Sequence, residues 1–220
     1  MSYKIIILGI VALLNLSLGF SIIKRNRLSR FNLYFGLLCI AGGVWTALML
    51  SLHLFVSLAA LDWVLRLMVV VSTLMFLLYL LFSIEYPYPF SLKRPWLIYV
   101  IPTVLIILEI LGFFPVERLS FVDGRLVEQT IFSNYIIFSG FYIGYLLLIF
   151  YILFKKFFAS SGLQRLQLKY ILISSGTTFI IMTFLSVIMP LVNGYFTDWF
   201  SPIFTLINFV FISYWIYLKK

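Results

Sequence analysis

Apolar residues run along this chain in long uncharged stretches, without the alternation of a half-buried strand or the polar back of a surface helix. Seven such stretches stand out: Ile5 to Ile23, Phe31 to Leu52, Leu67 to Ile84, Trp96 to Phe114, Ile131 to Phe154, Tyr170 to Leu191 and Trp199 to Leu218. Each is close to the about 20 apolar residues that an α-helix needs to cross a hydrocarbon core. Only the fourth holds a charge, Glu109. The pattern predicts an all-α membrane protein, a seven-transmembrane-helix bundle forming one domain over residues 1–220. The first stretch has no small-residue cleavage site and runs straight into Lys24, Arg25 and Arg27, so it reads as a retained helix and not as a signal peptide.

The connections sharpen the boundaries. Pro87, Pro89 and Pro95 punctuate the third, and Pro115 closes the fourth helix, where a ring without an N–H cannot continue it. Asp123-Gly124 between Val122 and Arg125-Leu126 predicts a small hairpin in the longest outer connection. The segment from Gly162 to Lys169 alternates apolar and polar residues and reads as an interfacial helical lead-in to the sixth helix. Trp63, Trp96, Trp199 and Trp215, with Tyr3, Tyr86, Tyr88, Tyr170, Tyr195 and Tyr217, fall near span ends, where amphipathic rings suit the headgroup layer.

Charge fixes the expected orientation. Twelve of the sixteen basic residues lie in the connections after helices 1, 3 and 5 and in the tail after helix 7, while six of the seven acids lie on the other side. By the positive-inside rule the N-terminus is outside and the C-terminus cytoplasmic, in a multi-pass protein of the cell membrane. The net charge of +9 is thus mostly a topology signal, with attraction to anionic lipid as a secondary effect.

Composition then excludes whole classes. The chain is 64% hydrophobic and 10% charged over 220 residues, far from a soluble domain. With 20% aromatic residues in an apolar chain, the positive charge does not indicate nucleic-acid binding. Seven spans leave roughly 80 residues for connections, too few for a kinase, ATPase or hydrolase domain, so no enzyme is expected. Cys39 is alone, and there is no glycine-rich phosphate loop, metal-ligand cluster or nucleophile elbow. Without any of these, no metal or cofactor is expected. The single histidine, His53, reads as a boundary residue, and helix 7 has no lysine before Lys219 to hold retinal.

The polar residues at membrane depth carry what chemistry remains. Arg66, opening helix 3, and Glu109, about a turn from the end of helix 4, sit at similar outer depth and are costly there unless paired or hydrated. With Trp63 and with Asn134 in the outer half of helix 5 they form the expected ligand-binding group. Asn15 and Asn208, nearer mid-membrane, read as hydrogen-bonded glue between helices. Gly140 and Gly144 form a small-xxx-small pair for close helix packing inside the bundle, with a homodimer as the alternative.

The order of Lys24-Arg25-Asn26-Arg27, Trp45, Trp63 with Arg66, Gly140 to Tyr145, Arg165-Leu166-Gln167-Leu168-Lys169-Tyr170 and Met189-Pro190-Leu191 resembles the N-terminal seven-helix sensor region of prokaryotic histidine kinases. The resemblance spans essentially the whole chain. It implies a receptor that detects an extracellular or membrane-borne signal and passes it through helix 7 to a cytoplasmic signalling module, in cis or in trans. No residue here matches a kinase motif, so kinase activity is not carried over. The alternatives are a small-solute transporter, which would show repeated halves and a midplane site, and a membrane assembly protein.

Overall fold

The computed structural model describes residues 3–54, 57–92, 95–111, 116–122, 125–130, 132–184 and 200–217, and for residues 58, 116–122, 125–130, 132–136 and 183 it describes the backbone. Among the described residues there are seven helices: α1 (Tyr3–Arg25), α2 (Arg30–Leu52), α3 (Leu58–Glu85), α4 (Leu97–Ile110), α5 (Phe132–Ala159), α6 (Gly162–Thr183) and α7 (Ser201–Tyr217). A hairpin of β1 (Val116–Val122) and β2 (Arg125–Thr130) separates α4 from α5. The strands pair antiparallel with Val122 opposite Arg125, which leaves the Asp-Gly pair between them, as the sequence predicts.

Four helices, α1, α2, α3 and α5, are long and apolar enough to cross a membrane. With 14 and 17 residues, α4 and α7 are shorter. The expected sixth span ends at Leu191, but residues 185–191 lie outside the described part, as do Asn193, Tyr195 and Trp199. Two helices begin eight or more residues earlier than the uncharged stretches do. α3 starts at Leu58, so Arg66 does not open it but stands in its third turn. α6 starts at Gly162, so the lead-in expected at the interface is the first two turns of the helix itself.

α1 and α2 form a tight antiparallel pair, α2 packs on α3, and α3 in turn receives α4 and α5. α7 lies against α6, α1 and α2 and closes the bundle. The largest apolar core joins Phe35, Phe82, Ile149, Ile152, Leu153 and Phe209 across α2, α3, α5 and α7. A second, around Leu8, Met49 and Leu61, holds α1, α2 and α3 together at the end where α3 begins.

The glycines that permit close approach are not the expected pair. Around Gly140 and Gly144 a methyl group would meet nothing within 4 Å among the described residues, and both are exposed on the outer face of α5. At Gly19 a Cβ would stand 2.6 Å from the Gly36 carbonyl oxygen, and at Gly36 it would stand 2.4 Å from Ile23. Close packing therefore belongs to the α1–α2 pair.

Candidate functional site

Three polar groups lie along the bundle. The first is the one expected near the start of α3. Asp62 and Arg66 are one turn apart on α3, and Arg66 Nε donates to Asp62 at 3.0 Å. Glu109, on α4, is 1% exposed, and neither carboxylate oxygen has a hydrogen bond among the described residues. The charges of Arg66 and Asp62 reach it, and its own reaches Tyr142 on α5. Arg66 and Glu109 are thus brought into one neighbourhood, with Asp62 as a member that the sequence reading left out. Trp63 is not part of it: although three residues from Arg66 and so on a neighbouring part of the same helix face, it is 66% exposed and lies on the outside of the bundle. The side chain of Asn134 lies outside the described residues.

His53 caps the end of α2, where burial and the nearby Lys4 ammonium push its imidazole below the ordinary histidine value. That suits a boundary residue. No group of three or more potential metal ligands occurs among the described residues.

The second group is at mid-bundle. Ser174 donates to Asn208 Oδ1 at 2.5 Å, an interhelical bond between α6 and α7, so Asn208 does join helices. The Tyr79 hydroxyl bonds Ser175 across α3 and α6. Asn15, by contrast, is fully buried and makes no hydrogen bond among the described residues, so the glue expected there is not formed with them.

The third group sits at the opposite end of the bundle from Arg66 and is the most extensive. Lys156, near the end of α5, is 1% exposed. Its ammonium donates to the carbonyls of Ser83, Ile84, Tyr86 and Tyr88 at 2.6–2.8 Å. Those are the last turn of α3 and the residues just beyond it, where helix carbonyls lack a partner within the helix and the helix dipole favours a cation; the Ile84 carbonyl also accepts from the Phe90 N–H at 2.9 Å. Beside it the Tyr86 hydroxyl donates to Gln167 Oε1 at 2.8 Å, and Gln167 Nε2 donates to the Trp215 carbonyl at 2.8 Å. One amide of α6 thereby bridges the end of α3 to the end of α7. The Tyr217 hydroxyl donates to Asn32 Oδ1 on α2, and Arg25 of α1 lies 4.7 Å from the Tyr217 ring centre. Trp215 stacks on Tyr170 at 3.7 Å and is buried.

Tyr86, Trp215 and Tyr217 are therefore packing and bonding residues, not the headgroup anchors that their position near span ends suggested. The sequence reading used Lys156 only as a topology charge and Gln167 only as part of a lead-in. A usable signal was there: Lys156 follows the uncharged run by two residues on a helix whose apolar face continues through Phe157. Compared with known families and curated proteins, the chain matches no family model and no curated protein.

Proposed function

We propose that this chain is a seven-span sensor domain of the cell membrane, with its N-terminus outside and its C-terminus in the cytoplasm. It takes up a signal near Arg66 and Glu109 and passes it through α7 to a cytoplasmic module, as the resemblance to the sensor region of histidine kinases implies. The observation that carries this reading is the bonding of the last turn of α7. Trp215 and Tyr217 are tied to α2, α6 and, through Gln167, α3. A change in how those helices pack cannot leave the end of α7 where it was, and that end leads toward any cytoplasmic output. The buried Glu109, without a hydrogen bond among the described residues, supplies the other half, since a carboxyl at that depth is costly until a partner arrives. A ligand shifts such a bundle only by its difference in affinity for two packings.

In a full-length or fused kinase reporter, Arg66→Ala and Glu109→Gln are expected to lower the response to stimulus at least tenfold while membrane insertion stays unchanged. An unchanged response in both variants removes the site assignment. Glu109 also favours one rival, a proton-coupled transporter, because buried membrane carboxyls serve as proton relays. Solute flux in proteoliposomes that is lost in Glu109→Gln would establish that rival in place of the sensor.

A further inference from the structure

Where α2, α3, α6 and α7 meet, they leave a cavity of about 80 Å³. Its walls are largely carbon, with the rings of Phe76, Phe179 and Phe209 among them, and none of the described residues that line it is charged. The polar lining groups are Tyr79, Thr178, Thr205 and Asn208. Two of these are already engaged: the Tyr79 hydroxyl with Ser175, and the Thr205 hydroxyl with the Ser201 carbonyl. Asn208 is 5% exposed and uses one amide atom on Ser174. Its other amide atom, and the hydroxyl of Thr178, make no hydrogen bond among the described residues.

We propose that this cavity is a binding site for a small neutral alcohol of about four heavy atoms. Its hydroxyl would sit between the Asn208 amide and Thr178, and its hydrocarbon end against the three phenylalanine rings. A hydroxyl both donates and accepts, so it satisfies the free amide atom whichever way round the amide lies. Size sets the upper limit: a cavity of about 150 Å³ admits benzene, and this one has about half that volume. Water meets the polar corner but gains nothing from the aromatic walls, while an ion finds no counter-charge there. The site is independent of the sensor reading above, because its occupancy is measured directly and not through a response.

The probe is 2-fluoroethanol, an alcohol of four heavy atoms with one fluorine, titrated at low millimolar concentration into the full chain in lipid nanodiscs and followed by fluorine NMR. The expected result is a saturable component of one site per chain above the linear uptake seen with empty nanodiscs. Thr178→Val keeps the volume and removes the hydroxyl, and is expected to weaken binding about threefold to tenfold. Thr178→Leu fills the cavity and is expected to abolish the saturable component, whereas Leu147→Ala on the exposed face of α5 leaves it unchanged. Linear uptake alone in the wild-type chain overturns the proposal. So does an undiminished saturable component in Thr178→Leu with a wild-type circular dichroism spectrum.

Discussion

Three N–H donors of the Lys156 ammonium serve four carbonyl oxygens, all within 2.8 Å, so this side chain finishes α3 from another helix. Methionine at that position keeps most of the packing but leaves those carbonyls in an apolar interior. Each buried polar group left unpaired costs about 1–3 kcal/mol. Lys156→Met is therefore expected to destabilise the chain by about 3 kcal/mol or more. Lys155, its neighbour in sequence, is exposed and lies 5.2 Å and 5.8 Å from the ring centres of Phe90 and Tyr151. Such exposed cation–π contacts contribute roughly 0.5–1 kcal/mol, so Lys155→Met is expected to cost less than about 1 kcal/mol. Thermal unfolding of both variants in detergent, followed by circular dichroism, separates them. Equal shifts would mean that the carbonyl cluster finds other partners when the ammonium is removed.

At the scale of helices, hydropathy located α1, α2 and α5 nearly to the residue at their starts, because each is uncharged from its first turn inward. It misplaced the starts of α3 and α6, and for one reason. An uncharged window stops at the first ion, whereas a helix continues as long as its ions are accommodated. On α3, Asp62 and Arg66 neutralise one another one turn apart, and on α6, Arg165 lies over the Phe157 ring at 5.0 Å while Lys169 is exposed. The site was legible to the same extent. Depth along the chain put Arg66 and Glu109 together, but it could not say that Trp63 turns outward or that Lys156 turns inward. Glycine spacing misled in the same way, since it shows where close approach is allowed and not which face meets a partner. Gly19→Ala would drive a methyl group into the Gly36 carbonyl and Ile40, and is expected to lower stability by about 1–3 kcal/mol, as overpacking does. The double substitution Gly140→Ala and Gly144→Ala meets nothing among the described residues and removes two helix-weakening residues, so it is expected to leave the melting temperature unchanged or to raise it. A strong loss in the double variant would instead reveal a partner on that outer face of α5.

Over the whole molecule, side-chain contacts sort the helix ends into two sets. Arg30 faces Glu85 at 3.8 Å, which joins the start of α2 to the end of α3. Lys156 adds the end of α5, Gln167 the start of α6, Trp215 and Tyr217 the end of α7, and Arg25 the end of α1. The basic residues that hydropathy assigned to one side of the membrane, Arg25, Arg30, Lys155, Lys156 and Arg165 among them, belong to this set. Asp62, Arg66 and Glu109 belong to the opposite end. The start of α1 and the end of α7 thus lie at opposite ends of the bundle. Four long helices crossing alone, an even number, would return the chain to its starting side. Seven crossings carry it through, and require α4, α6 and α7 to span with the help of flanking residues. A 14-residue α4 is about 21 Å long, against a hydrocarbon thickness of about 30 Å, so the bilayer has to thin or its ends have to be extended. The proposed orientation predicts that a reporter fused before Met1 is active only outside the cytoplasm and one fused after Lys220 only within it. The two fusions, each scored with a paired alkaline phosphatase and green fluorescent protein reporter, decide between odd and even crossings. Both ends reporting from one compartment would leave the end of α7 unable to deliver anything across the membrane, and the sensor proposal would fall with the topology.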